Sequence, residues 1–253
     1  MKDTATASNH TFWKDPATGQ VRIYVWEWPI RFSHWVMVVS IILLSVTGYY
    51  MHSPYLTAQG HEAFVMGKMR FIHIITAYAF LLAIALRIVW FFLGNRWVRI
   101  DQYIPTTRRR FRHLIAVCKY YGFMAWSPRG CIGHNPMAGA SYMIVYTMAV
   151  VEIFTGFTMF AQVVQSPVLL FLFGWVPRVI DIQYLREIHF FIMFGFWMFF
   201  IQHVYTAALI SIEERSALMD SIFSGYKFVP EEELAQEMGM ASPENTAPVI
   251  KTH

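Results

Sequence analysis

Charge is scarce in this chain. Of 253 residues only 14% are Asp, Glu, Lys or Arg, against about 25% in a soluble domain. With 56% hydrophobic and 17% aromatic residues and a mean hydropathy of +0.40, the shortfall argues against a single soluble domain, a disordered chain or a nucleic-acid-binding protein. Lipid is the expected solvent for much of the surface. Cysteine is nearly absent. Cys118 and Cys131 are too few for a disulfide scaffold or for an iron–sulfur cluster, which takes about four thiolates. No cleavable leader is expected either, because the first twenty residues are polar and lack an apolar core. The first apolar span is therefore expected to remain as an anchor. No convincing internal repeat is visible.

What is present is four long apolar runs: 32–50, 71–93 with Arg87 near its end, 137–160 with Glu152 inside it, and 188–210. Each has roughly the ~20 residues that cross a hydrocarbon core. The expected fold is an all-α membrane protein, a four-helix transmembrane bundle over residues 31–212. It is flanked by an N-terminal tail, 1–30, and a C-terminal tail, 213–253. The acidic, proline-containing stretch after Pro230 is expected not to pack. Val168–Val176 is apolar but short and bracketed by Pro167 and Pro177, so it reads as a loop or interfacial segment. Lys and Arg fall fifteen against four in favour of the side bearing both termini and the 94–136 loop. By the positive-inside rule these are cytoplasmic. Arg108, Arg109, Arg110 and Arg112 then form a headgroup-facing patch rather than a nucleic-acid site.

Ten histidines carry the chemical signal. His34 and His203 fall near the cytoplasmic ends of their spans, and His73 and His189 near the outer ends. His189 and His203 are fourteen residues apart, close to four helical turns, so they share a face and stand ~21 Å apart along the axis. Two His–His pairs at two depths of a bundle can each ligate one haem b. Bis-imidazole iron has no open position, so the expected task is electron transfer. The alternative for any one of them is an interfacial or hydrogen-bonding histidine. His52, five turns after His34, competes with His73 but precedes Ser53-Pro54, where the span ends. Gly48, Gly156 and Gly195 suit either the close approach of a flat macrocycle or tight helix packing. Glu152 is expected to face the bundle interior. His134, with Asn135 as cap of a helix starting at Pro136, is either a structural corner or a hydrogen-bonding group for a quinone near the inner haem.

These residues resemble a known family, the b-type cytochrome subunit of membrane-bound nickel–iron hydrogenases. The resemblance rests on Arg31-Phe-Ser-His34-Trp35 through Thr47-Gly48, Arg70-Phe-Ile-His73, and Arg87-Ile-Val-Trp90 with Gly94-Asn95-Arg96. It continues in Gly133-His134-Asn135-Pro136, Thr155-Gly156-Phe157, the His189–His203-Val-Tyr205 spacing and Ser224-Gly225-Tyr226. It covers most of residues 22–228. The departures are Phe190, the 182–187 segment with what looks like an added turn, Glu152 and Cys131. The resemblance implies an inner-membrane subunit that takes electrons from the small and large subunits of a periplasmic Ni/Fe-hydrogenase. It would carry them through an outer haem (His73/His189) and an inner haem (His34/His203) to quinone. The outer segment around 163–179 would help dock that partner. The alternatives are the same module serving another periplasmic dehydrogenase, such as formate dehydrogenase, and a haem-free anchor or transporter.

Overall fold

The computed structural model describes residues 13–16, 18–55, 64–100, 136–213 and 216–238, with 103, 108, 111–112, 115–116 and 119 between them. Four long helices dominate: α1 (Trp28–His52), α2 (Val65–Leu93), α3 (Pro136–Val164) and α5 (Ile182–Glu213). Each is long and apolar enough to cross a membrane. Their 25, 29, 29 and 32 residues exceed the ~20 a bilayer core requires. The apolar runs alone understate them because the ends carry Arg31, Arg70, Arg186 and Glu213, polar residues that a helix tolerates at the headgroup level. The 182–187 segment is the opening of α5 itself, almost two turns ahead of His189. Helix α3 begins at Pro136 as expected, since proline suits a first helical position.

The helices alternate in direction. Glu27, just before α1, accepts hydrogen bonds from Trp90 Nε1 (3.0 Å) and Asn95 N (2.8 Å) at the end of α2. Arg87 on α2 meets Tyr146 on α3, Thr155 on α3 meets His189 on α5, and His203 on α5 lies beside His34 on α1. The result is two hairpins, α1/α2 and α3/α5, laid side by side. Large apolar residues such as Leu82, Met198 and Ile201 remain exposed on the outside, as lipid-facing positions must be. Inside, Phe80, Ile84, Ala149 and Phe196 form a buried apolar layer at mid-height.

One end of the bundle carries a small lobe. Strands β1 (Val21–Tyr24) and β2 (Tyr226–Val229) pair antiparallel, with Val21 opposite Val229 and Tyr24 opposite Tyr226. Gly225 makes the turn from α6 (Leu218–Ser224) into β2 at φ +89°. A Cβ there would stand 2.5 Å from the Tyr24 ring and 2.8 Å from the Trp26 carbonyl, so only glycine fits. The Trp26 indole donates to Ser221 Oγ at 2.8 Å, fastening α6 to the start of α1.

The expectation that nothing packs beyond Pro230 is corrected here. Helix α7 (Glu231–Met238) buries Leu234 and Ala235 against the lobe core of Val21, Trp26, Trp97 and Val229. Its three leading glutamates suit a helix N-terminus, and Glu231 pairs with Lys14. Acidity marks the start of a helix here rather than a tail. The segment after α3 is also more ordered than a loop: α4 (Pro167–Phe173) is followed by a tight turn at Val176–Arg178. Phe154 and Phe157 pack on Phe173, while Val168 and Phe171 stay exposed, as in an interfacial helix.

Candidate functional site

Two imidazole pairs stand inside the bundle. His34 and His203 face each other near the lobe end, and His73 and His189 near the opposite end. In both, the ring centres are 6.4 Å apart, tilted by 57° and 56°. A metal held in line by two imidazoles puts ring centres about 6 Å apart, from two bonds of about 2 Å and about 1 Å from each nitrogen to its ring centre. Both pairs thus have the spacing that a single metal ion between two imidazoles would require. The four histidines expected to act in pairs are brought together in the expected pairs. Among the described residues no cluster of three or more His, Cys, Asp or Glu forms a competing metal site.

The surroundings fix the ring nitrogens. Thr47 Oγ1 donates to the Leu43 carbonyl at 2.7 Å, which uses its only proton. The same oxygen lies 2.9 Å from His73 Nδ1, so it accepts the Nδ1 proton and leaves Nε2 with a free lone pair. Thr155 repeats the arrangement, donating to the Val151 carbonyl at 2.8 Å and lying 2.9 Å from His189 Nδ1. Orienting hydrogen bonds of this kind set the tautomer a metal needs. Next to each threonine is a glycine that gives the ring its room. A Cβ at Gly48 would stand 3.3 Å from His73 Cε1, and one at Gly156 3.0 Å from His189 Cε1. These two glycines therefore serve the imidazoles. Gly195 does not: a Cβ there meets Met148, so its role is the packing of α5 on α3.

The levels differ in finish. At the lobe end Tyr142 OH approaches His203 Nδ1 at 3.4 Å and Phe199 stacks on that ring, while His34 Nδ1 is buried without a partner. At the far end a cavity of about 690 Å³ lies between the hairpins, lined by His73, His189, Gly48, Gly156, Arg70 and Arg186 among others. That is within the 300–1,000 Å³ of organic cofactor sites. Glu152 faces inward as expected, with one carboxylate oxygen 3.4 Å from His189 Nε2 and the other lacking a partner. His52 belongs to the cavity rim, stacked on Phe190 at 3.9 Å, and His73 rather than His52 pairs with His189. Between the levels Phe80 and Phe196 meet edge to face, 6.3 Å apart.

In the sequence Thr47 and Thr155 stand out only as motif elements, and Gly48 and Gly156 as room for a macrocycle or for helix packing. Their function is legible in the i−4 spacing of threonine to its own carbonyl acceptor only once the facing histidine is known. Sequence reasoning also passed over the use of Arg87. Buried at 2% exposure, this residue donates to Tyr146 OH, the Val98 carbonyl and Tyr103 OH, and its guanidinium lies 4.3 Å over the Phe91 ring. It ties α2 to α3 and to the chain beyond α2. Burial beside Tyr146 raises the Tyr103 phenol above its ordinary range, so Tyr103 stays neutral as the acceptor. His134 and Asn135 lie outside the described residues.

The family model for prokaryotic cytochrome b561 matches residues 25–225. The chain is 34% identical over 212 residues to a protein of Cupriavidus necator named as a probable Ni/Fe-hydrogenase B-type cytochrome subunit, covering 81% of this chain and 86% of the relative. A Bradyrhizobium diazoefficiens protein of the same name is 34% identical, covering 83% and 87%. An Escherichia coli relative, a probable Ni/Fe-hydrogenase 1 B-type cytochrome subunit, is 31% identical, covering 81% and 90%.

Proposed function

Because the chain belongs to the prokaryotic cytochrome b561 family, a family of membrane electron-transfer proteins, we propose that it is the two-haem subunit that carries electrons from a Ni/Fe-hydrogenase to quinone. It is a membrane cytochrome of the b type. His34 and His203 hold one haem near the lobe, and His73 and His189 hold the second near the far end. Bound there, haem supplies reversible one-electron transfer at an iron with no position left for oxygen. The protein does the rest. Thr47 and Thr155 aim the Nε2 lone pairs of His73 and His189 at the far gap. Phe80 and Phe196 fill the space between levels and keep water out of it.

The Lys and Arg bias puts the lobe and both termini in the cytoplasm and the far end at the periplasm of an inner membrane. The relatives are named as Ni/Fe-hydrogenase subunits, and in this reading the small and large subunits of such an enzyme dock at the far end. Quinone takes electrons at the lobe end, where His134 and Asn135 precede α3 and offer hydrogen-bonding groups. The observation that carries the reading is the equal 6.4 Å spacing of two imidazole pairs on one bundle.

The test is the haem content of the purified full-length chain. Two haems per chain, with sharp reduced α and Soret bands, are expected by pyridine haemochrome assay. His189→Ala and His203→Ala are each expected to lose mainly one, and a different one. Retention of two haems by both variants refutes the ligand assignment. Hydrogen-driven reduction of the haems in the co-purified complex, with formate inactive, tests the partner.

A further inference from the structure

Three of the four paired histidines are preceded three residues earlier by arginine: Arg31–His34, Arg70–His73 and Arg186–His189. Residues i and i+3 share a helix face ~4.5 Å apart along the axis. Helices α2 and α5 both begin at the far end, so Arg70 and Arg186 each sit one turn outside their histidine. They come from different hairpins yet line the same cavity as His73 and His189. Neither has a carboxylate partner among the described residues. Among the described residues Arg186 donates to Gln183, at 3.3 Å on its own helix.

The polarity of this cavity is directional. On the inward side its wall is Ile41, Leu44, Phe80 and Phe196, with the carboxylate of Glu152 beside His189. On the outward side it ends in two guanidinium groups and His52. A haem carries two carboxylates, its propionates, on one edge. Turned inward they would be desolvated against apolar walls beside the buried Glu152 side chain, a costly arrangement. Turned outward they meet two cations whose planar donor forks match carboxylates.

We propose that Arg70 and Arg186 bind the propionates of the haem held by His73 and His189 and so fix which edge of the macrocycle faces out. This rests on the reading that these histidines ligate haem. Two arginines at one rim distinguish the two edges of the cofactor, which the histidines alone cannot do.

The test separates propionate recognition from general integrity. Haem-free full-length protein carrying His203→Ala, so that only the far level binds, is titrated in detergent with haemin and with haemin dimethyl ester, whose propionates are uncharged. The parent is expected to bind haemin at least tenfold more tightly than the ester, both with a bis-imidazole spectrum. With Arg70→Gln and Arg186→Gln added, ester affinity is expected to stay unchanged and haemin affinity to fall to the ester's. Arg70→Lys with Arg186→Lys keeps part of the preference. A preference that survives the double glutamine change overturns the proposal. So does an equal loss for both porphyrins, which would mark the arginines as structural. If neither porphyrin gives a bis-imidazole spectrum in the parent, the haem reading itself falls, and this proposal with it.

Discussion

Replacing Gly156 with alanine tests the far site at its tightest point. The added carbon stands 3.0 Å from His189 Cε1 and 3.7 Å from Nδ1, whereas carbon contacts are most favourable at roughly 3.5–4.0 Å. The ring must retreat by about 0.5 Å, and the 2.9 Å bond to Thr155 resists it. Overpacking of this kind costs about 1–3 kcal/mol. The cost falls on the haem-bound state, in which the ring cannot turn away. At about 1.4 kcal/mol per decade of affinity, haem binding at this level should weaken by roughly 5- to 150-fold. Gly48→Ala, at 3.3 Å from His73 Cε1, should do the same to a smaller degree. Gly195→Ala meets only the flexible end of Met148 and should leave haem content intact. The assay is haem titration in a His203→Ala background, followed by the low-spin electron paramagnetic resonance signal, which reports ring orientation. Full haem affinity with an unchanged signal in Gly156→Ala, or a larger effect from Gly48→Ala, would refute the geometry.

Three further outcomes are expected. Thr155→Val removes the acceptor of the His189 Nδ1 proton. The imidazole becomes a poorer electron donor, and the midpoint potential of the far haem should rise by a few tens of millivolts, the scale of one neutral hydrogen bond of about 1 kcal/mol. Redox titration checks this; a fall or no change counts against the assigned tautomer. Glu27→Ala leaves the Trp90 indole and the Asn95 amide without their acceptor and should destabilise the lobe junction by about 1–3 kcal/mol. A lowered melting temperature with haem retained would show this, and an unchanged one would show that water replaces the carboxylate. Fusion reporters at residues 60 and 175 should report the periplasm, and those at 110 and 235 the cytoplasm; a cytoplasmic signal at 60 inverts the orientation.

The spans were readable because crossing lipid demands long apolar runs, and few other structures do. The histidine pairs were readable because fourteen residues nearly complete four helical turns, so a single helix betrays both levels. The lobe was not. Strands of four residues carry too little alternation to stand out, and β1 pairs with a strand some 200 residues away. Helix α7 shows Leu234 and Ala235 as the buried residues among its described side chains, amid glutamates, which by composition resembles a solvated tail. The roles of Thr47 and Thr155 were hidden for another reason. A membrane threonine bonding its own helix carbonyl is common, and only the neighbouring helix reveals what its second lone pair accepts.

Each imidazole pair is split between the two hairpins: α1 and α2 contribute His34 and His73, while α5 contributes both His203 and His189. The hydrogen bonds that prepare the far pair lie within hairpins, Thr47 with His73 and Thr155 with His189. Each hairpin thus readies its own half of a site that only the other completes. An iron held at either level would be a rivet through both halves. Maturation of such a chain would then be a docking problem, in which cofactor supply locks two membrane hairpins together. A cell short of haem would accumulate hairpins that insert but do not clamp, exposed to membrane quality control before any electron has moved.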